Sequence, residues 1–426
     1  MFGKNSGLSL DQAPPLRIPL KFFVTAPIFG IIAGLFVLGF VSSLGATRSA
    51  LEVITLTHLF TIGFLAMVMI GAMFQMLPVI AGVKFKYQNI LAPLVHSLLS
   101  AGLIVFAYGI YTYTSIAMIV AMVLMVFAFL MFIFSTLFAL TKTQNVTPTI
   151  KAFIVALLSL FIAILLAMYI TISHATADIS ISHQALLNTH ILFSLVGWVG
   201  MLIVGVSFQV IPMFYVTEPY PEFYKKHAIK IIFVSMLGLA FGLITDSYQL
   251  YLLFKVIISL MFLDYGITTI SRLLTRKRKI SDTTIHYWYL AISMLITAIL
   301  LSLANEYFNN YLLNTVIVVI FIYGFAMSIM TGMLYKVVPF LVWFHLTNQG
   351  YMNMPTMNDL IGKKLTITQF YLHIASLASL IGLVFISEMQ IIAGIVVVLS
   401  NGFILYNLIK GSKLYFTKQG LDKMNF

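Results

Sequence analysis

Two histidines could bind a metal, because each lies at a similar place in a long apolar stretch. His58 precedes Pro78 by 20 residues, and His190 precedes Pro212 by 22. Each lies about six residues inside its stretch, roughly 9 Å deep at 1.5 Å per helical residue. Neutral imidazole can ligate iron or copper, which offsets its burial. The alternative is a core histidine bonded to a backbone carbonyl or to the preceding threonine. The matched pair favours ligands, because ionisable groups in apolar spans are usually functional.

His96 and His373 form a second pair. Each lies about six or seven residues inside the predicted cytoplasmic end of a further apolar stretch. These two stretches occupy equivalent positions in the internal repeat described below. The pair is therefore a candidate for a second cofactor-binding site, on the other side of the membrane from His58 and His190. An ordinary packing role for each of them stays open.

Three charged residues also fall inside apolar stretches. We expect Lys336 to extend its amine to the membrane surface rather than to pair with a carboxylate. Lys255 and Asp264 lie nine residues apart on one predicted helix. At about 100° per residue this spacing places them on opposite faces, so we expect no direct ion pair between them.

An eight-residue pattern, G-x-x-[FY]-[QK]-x-[LIV]-P, occurs three times, at 71–78, 205–212 and 332–339. A single copy would be unremarkable, because glycine lets membrane helices pack closely and proline ends helices. The three copies lie near the ends of the second, sixth and tenth predicted helices. This regular interval of four helices indicates an internal repeat. We therefore predict three units of four helices arranged with pseudo-threefold symmetry.

The composition predicts an all-α integral membrane protein. Charged residues make up 8% of the 426 and hydrophobic residues 61%, whereas a soluble protein carries about 25% charged residues. Crossing a bilayer takes about 20 apolar residues. We predict one transmembrane domain over residues 1–426, with repeat units at 18–140, 149–270 and 284–410. The twelve predicted spans are 18–43, 51–81, 90–112, 115–140, 149–172, 184–212, 227–246, 248–270, 284–304, 312–343, 366–386 and 389–410.

The distribution of charge predicts the orientation in the membrane. Of the 24 lysines and arginines, 21 fall at the N-terminus, in the even-numbered loops and at the C-terminus. The opposite side carries Arg48 alone, together with acidic residues such as Asp178. Basic loops stay in the cytoplasm, so both termini are predicted to be cytoplasmic in a bacterial-type inner membrane. The net charge of +12 therefore reflects contact with the lipid bilayer rather than binding to nucleic acid.

The chain contains no cysteine, which excludes disulfides, thiolate ligands, covalently attached c-type haem and cysteine-held iron–sulfur clusters. Any metal or haem must therefore be held by histidine, methionine, tyrosine or carboxylate side chains. Copper, which imidazole also binds, is possible but not supported.

The twelve spans, the threefold repeat and a histidine near the outer end of span 2 resemble the haem–copper oxidase subunit I superfamily. The stretch from His58 through Gly71-Ala72 to Pro78 is most similar to the nitric oxide reductase branch, in which span 2 supplies a haem ligand. The chain also resembles the smaller NnrS-like membrane proteins. The resemblance implies haem b held by His58 and His190, or by one of them with another donor. It also implies a respiratory-chain protein or a quinol as electron donor.

The sequence departs from that family where the active-site metals are bound. Span 10 of the family carries two histidines, but the stretch 314–330 contains none. Span 7 should carry a histidine pair, but 229–244 has none, and Ser194 replaces the family's tyrosine on span 6. We therefore expect a degenerate member that does not reduce O₂.

The expected function is haem binding in electron transfer or in handling nitric oxide or haem-linked stress. If the protein is an enzyme, it is an oxidoreductase. The first alternative is a membrane transporter or metal-delivery protein, which the charged residues inside spans would suit. The second is a non-catalytic assembly subunit of a respiratory complex. Whether the chain forms an oligomer stays open.

Overall fold

The computed structural model describes residues 13–42, 44–45, 47, 49–176, 183–279 and 282–423. Arg48 and Asp178, which entered the charge argument, lie outside these residues. Within them, twelve helices are long and apolar enough to cross a membrane, which confirms the predicted class and number of spans. They are Arg17–Phe40, Leu51–Ala81, Gln88–Tyr111, Ser115–Leu140, Pro148–Thr176, Gln184–Tyr215, Glu222–Ile244, Tyr248–Leu274, Thr283–Phe308, Tyr311–Asn348, Lys363–Phe385 and Ser387–Thr417, numbered here as spans 1 to 12.

The proline of the repeated motif does not end its helix, although the predicted span 184–212 stopped at Pro212. Span 2 continues past Pro78 to Ala81, and span 6 past Pro212 to Tyr215. Span 10 continues from Pro339 as far as Asn348. Proline removes one backbone hydrogen bond, and membrane helices tolerate this where neighbouring groups compensate.

Spans 2, 6 and 10 share a stretch of π-helix, in which backbone hydrogen bonds skip one more residue than in an α-helix. The π-helices are Leu59–Ala66, Leu192–Gly200 and Ile320–Met327. Each ends 12 residues before the proline of its motif. The same departure from α-helix thus accompanies every copy of the repeat, and π-helices are frequent at functional sites.

The motif glycine has the same role in each copy, because it packs against the span that begins its predicted repeat unit. A methyl group added there would approach a neighbouring Cβ to between 2.2 and 2.7 Å, far inside van der Waals contact. The pairs are Gly71 with Phe22, Gly205 with Ala152, and Gly332 with Tyr287.

The chain divides into two compact units, which we describe separately. The span 3–8 unit comprises the described residues of Met1–Ala13, Met76–Ile280 and Leu295–Phe308. The span 10–12 unit comprises those of Pro14–Gln75, Ser281–Met294 and Asn309–Phe426, and so includes span 1 and most of span 2. Span 9 contributes its first half to the span 10–12 unit and its second half to the other. The predictions of one domain and of pseudo-threefold symmetry stay predictions.

Each unit is a helix bundle with short connections. In the span 3–8 unit, spans 3 and 4 and spans 7 and 8 form close antiparallel pairs, and span 5 packs on spans 4, 6 and 7. In the span 10–12 unit, span 12 packs against spans 1, 10 and 11. A short helix, Met357–Leu360, lies in the loop after span 10, and strands Tyr351–Met352 and Asp422–Lys423 pair antiparallel.

Candidate functional site

His58 belongs to the span 10–12 unit and is the last α-helical residue before the π-helix of span 2. Its side chain is half-buried, and its Nδ1–H donates to the carbonyl oxygen of Ile54 at 2.8 Å. A carbonyl can only accept, so Nδ1 carries the proton, and in the neutral ring Nε2 carries the lone pair. Imidazole that binds a metal through Nε2 has this tautomer, commonly fixed by such a hydrogen bond.

His190 belongs to the span 3–8 unit and lies two residues before Leu192, the first residue of the π-helix of span 6. Its Nδ1–H donates to the carbonyl oxygen of Ala163 on span 5 at 2.9 Å, which fixes the same tautomer as in His58. The hydroxyl of Thr189 donates instead to Ala185, 2.7 Å away, so it does not hold the ring. The Ser194 hydroxyl donates to the carbonyl oxygen of His190 at 2.7 Å.

Both histidines thus have the carbonyl bond expected of a core histidine and the Nε2 lone pair required of a ligand. They lie in different units, so their pairing on one haem stays a prediction. In span 10 the residue 20 positions before Pro339 is Val319, which offers no ligand. Among the described residues, no three histidine, aspartate or glutamate side chains come together. A haem held by one or two axial imidazoles requires no such group.

The second histidine pair is also divided between the units. His96 is half-buried on span 3, and His373 is completely buried on span 11. A joint site for the two therefore stays a prediction. Of the two, His373 has the surroundings that differ most from an ordinary apolar core.

His373 lies among buried polar and aromatic side chains. Its Nε2 is 2.8 Å from Oγ of the fully buried Ser328. The ring of Tyr323 stacks on the imidazole with centroids 4.8 Å apart, and that of Tyr287 lies at 5.7 Å. The backbone of Tyr323 offers the ring a further hydrogen bond.

The polar side chains of span 11 form a buried stripe, and sequence analysis identified only one of its members. The stripe follows the three- and four-residue spacing that places side chains on one helix face. This spacing of polar residues in an otherwise apolar stretch was the signal that could have revealed it. The members are Thr366, Gln369, His373, Ser376 and Ser379.

Neighbouring spans supply hydrogen-bond partners to this stripe. The hydroxyls of Thr366 and Thr283 are 2.9 Å apart, and the Tyr287 hydroxyl donates to Oε1 of Gln369. Nε2 of Gln369 donates to the Ser400 hydroxyl at 3.2 Å. We call these side chains the His373 cluster: Thr283, Tyr287, Tyr323, Ser328, Thr366, Gln369, His373, Ser376, Ser400 and Asn401.

Lys336 pairs with a carboxylate, so the expectation that it would reach for the membrane surface is wrong. Its Nζ lies 2.5 Å from Oδ2 of Asp282, and both side chains are largely buried. Burial by itself would raise the pKa of Asp282. The positive charge of Lys336 and hydrogen bonds from Lys336 and Thr284 outweigh that effect and hold the pKa below its ordinary value. Asp282 immediately precedes span 9 and so lies outside the apolar stretches. The sequence therefore offered no reason to expect it as a partner of Lys336.

Lys255 pairs not with Asp264 but with Glu306 of span 9, so the absence of a Lys255–Asp264 pair is confirmed. Its amine also donates to the Tyr251 hydroxyl at 3.2 Å and to the Ser302 carbonyl at 3.1 Å. The Tyr251 hydroxyl donates to the same Glu306 oxygen at 2.8 Å. Asp264 is exposed on span 8.

Comparison of the chain with known protein families and with curated proteins finds no match. Function must therefore be argued from the side chains themselves. Two arrangements can do chemistry: the fixed tautomers of His58 and His190 next to π-helices, and the buried polar His373 cluster.

Proposed function

We propose that this membrane protein binds haem b on a scaffold of the oxidase subunit I type, with His58 and His190 as axial ligands through Nε2. The observation that carries the proposal is the hydrogen bond from Nδ1 of each ring to a backbone carbonyl. Such a bond leaves Nε2 as the basic atom and holds the ring plane in one orientation. The position of each histidine beside a π-helix adds support.

Haem iron would supply reversible one-electron transfer. The protein would hold the imidazoles, keep water from the iron and set its potential through the low dielectric of the spans. The stretches 229–244 and 314–330 contain no histidine that could hold a second metal beside it. The residues therefore favour electron transfer, or handling of nitric oxide or haem-linked stress, over O₂ reduction. A respiratory-chain protein or a quinol would be the electron donor.

The test is a reduced-minus-oxidised absorption spectrum of the purified full chain, with the haem-to-protein ratio measured by extraction. We expect a b-type spectrum that is lost or reduced in both His58→Ala and His190→Ala. The ratio also decides whether the two histidines serve one haem or two. His227→Ala is the matched control, because His227 is exposed on span 7, and it should retain the full spectrum. Wild-type protein that folds and carries no b-type absorbance would refute the proposal.

A second candidate, a transporter or metal-delivery protein, is favoured by one observation. Lys255–Glu306 and Lys336–Asp282 place ion pairs in or next to spans, where charged groups often line a substrate path. Proteoliposomes containing haem-free protein would be tested for uptake of Fe²⁺ and Mn²⁺. Uptake that Glu306→Gln or Asp282→Asn abolishes would favour transport, and no uptake above empty liposomes would reject it.

The proposed location is the bacterial inner membrane with both termini in the cytoplasm, as the basic loops suggest. Fusions of a reporter active only in the cytoplasm to each end of the chain test this. Both fusions should be active, and an inactive fusion at either end would contradict the orientation.

A further inference from the structure

Span 8 carries a carboxylate on a face that is otherwise mostly apolar. Asp264 lies ten residues before Leu274, the last residue of the helix, and so is about 15 Å from that end. Leu260 and Ile267 lie one turn to either side of it on the same face and are 58% and 63% exposed. Asp264 is exposed as well. In a membrane span this face contacts lipid, where a charged group is costly.

Asp264 cannot avoid this cost by reaching the membrane surface. Lysine and arginine can extend their charge to the surface along an apolar stem, whereas the side chain of aspartate is far too short. Tyr224 of span 7 lies near Asp264, but its hydroxyl donates to the carbonyl oxygen of Met261 at 2.9 Å. Asp264 has no ion-pair partner among the described residues. Ionisable side chains inside membranes usually pair with one another, so a partner from outside the chain is expected.

Span 7 carries a lysine on its own lipid-facing side. Lys230 is exposed and lies eight residues after Glu222, the first residue of the helix. It is therefore about 12 Å from the predicted cytoplasmic end of its span. Val234 and Leu237 are exposed on the same face. Like Asp264, Lys230 forms no ion pair within the described part of the chain.

The contact between spans 7 and 8 places the two charges at one depth. The helices run antiparallel, and a methyl group added at Gly238 would meet the ring of Phe254 at 2.3 Å. Eight residues further along each helix towards the predicted cytoplasmic side lie Lys230 and Phe262. Asp264 is within one helical turn of that level. The two charges thus lie level on neighbouring helices without pairing with each other.

A second copy of the chain supplies the charge that each of these residues lacks. Two copies in one membrane have the same orientation, so a twofold axis that relates them runs along the membrane normal. When the exposed faces of spans 7 and 8 meet across such an axis, span 7 of each copy lies opposite span 8 of the other. Because Lys230 and Asp264 are level, both reciprocal pairs can form at once.

We propose that the protein forms a twofold-symmetric dimer in the membrane through the exposed faces of spans 7 and 8. Lys230 of each copy pairs with Asp264 of the other, and the apolar side chains around them pack across the interface. An unrelated span with one basic residue would satisfy Asp264 but leave Lys230 unpaired, whereas a second copy satisfies both. The dimer does not depend on haem binding.

The oligomeric state is tested by counting photobleaching steps of the labelled full chain in bilayers of phosphatidylethanolamine and phosphatidylglycerol. The anionic lipid is included because Lys226 and Lys277 are exposed at the predicted cytoplasmic ends of the two helices, where they would otherwise repel their own copies. We expect a dimer fraction that rises with the protein-to-lipid ratio. Monomers at every ratio would overturn the proposal.

Charge variants test whether the ion pairs hold the dimer. Asp264→Asn and Lys230→Gln should each weaken dimerisation about tenfold, because by symmetry each breaks both pairs. The exchange variant Asp264→Lys/Lys230→Asp should recover most of that loss, since it restores both pairs with their signs reversed. Lys151→Gln is the matched control, because Lys151 is an exposed lysine of span 5, and it should leave dimerisation unchanged.

Dimerisation that equals the wild type in both neutral variants would overturn the proposal. So would an exchange variant that folds and dimerises no better than the neutral variants. Folding is checked by a monodisperse profile in size-exclusion chromatography. If the exchange variant does not fold, the neutral variants decide by themselves.

The interface is located by disulfide cross-linking, which is simple to interpret because the chain has no cysteine of its own. Val234 and Leu260 are exposed within two residues of one level on the paired helices. Differently tagged chains with Val234→Cys and Leu260→Cys, expressed together, should form a mixed disulfide on mild oxidation. Phe127→Cys replaces Leu260→Cys in the matched control, because Phe127 is 55% exposed on span 4. Equal linking in both mixtures, or none in either, would place the interface elsewhere and overturn the proposal.

Discussion

The close approach of spans 5 and 6 predicts the effect of Gly205→Ala. A methyl group at Gly205 would lie 2.2 Å from Cβ of Ala152, whereas carbon atoms in contact sit about 3.5–4.0 Å apart. The two helices would have to separate by more than an ångström, which would disturb other contacts along both. Overpacking of this kind costs about 1–3 kcal/mol. The gain in helix propensity from glycine to alanine, about 1 kcal/mol, offsets part of this cost.

The assay is thermal unfolding of the purified protein in detergent, followed as loss of the monodisperse peak in size-exclusion chromatography. For a unit of this size each kcal/mol corresponds to about 2–4 °C in Tm, so a net cost of up to about 2 kcal/mol should lower the Tm of Gly205→Ala by up to about 8 °C. Gly402→Ala on span 12 is the matched control, since a methyl group there meets nothing within 4 Å. It should leave Tm unchanged or raise it.

The double variant Ala152→Gly/Gly205→Ala tests whether the close contact itself causes the loss of stability. It moves the methyl group from one side of the contact to the other and should recover part of the lost stability. If Gly205→Ala is as stable as the wild type, or if the double variant is no better than the single one, the close contact is not what holds these spans together.

Three further predictions concern charge. Glu306→Gln should destabilise the protein by about 2 kcal/mol by leaving Lys255 uncompensated, and replacing both by neutral residues should recover stability, as measured by Tm. The Asp282–Lys336 pair should contribute about 1 kcal/mol of stability, which is fully present above pH 3.8 and is lost as the pH falls below it. Asp282→Asn should therefore flatten that part of a curve of Tm against pH. Burial raises the pKa of Tyr220 to about 12. Stability should therefore fall as the pH rises from 10 towards 12, and Tyr220→Phe should remove that loss and one late step in the ultraviolet titration of tyrosinate.

The spans could be predicted from sequence because the bilayer imposes a length and a polarity that each segment must meet by itself. Partners between spans could not be predicted in this way. Lys336 meets Asp282 across 54 residues of chain, and nothing in the local sequence of either residue indicates the other. The same holds for Lys255 and Glu306, which are brought together by the packing of spans 8 and 9.

The candidate site could be predicted in part. His58 and His190 were identifiable because imidazole is costly in an apolar stretch. The tautomer of His190 was not, because the carbonyl of Ala163 comes from another span. The π-helices were also invisible, since their residues are as apolar as those of the α-helices on either side. The cluster around His373 was not predicted, because hydroxyl and amide side chains cost less to place in a span than charged ones and are therefore a weaker sign of function.

The π-helices give spans 2, 6 and 10 a property that side chains do not. In each of these spans, a wider turn lies between the N-terminal part of the helix and the glycine that packs closely against a neighbouring span. The direction in which His58 points around the helix axis, relative to Gly71, therefore depends on the number of residues between them. Deleting one residue from Leu59–Ala66 would turn His58 by about 100°, whereas exchanging one apolar residue for another would leave its direction unchanged. The direction in which this histidine points is thus encoded by chain length rather than by any neighbouring side chain.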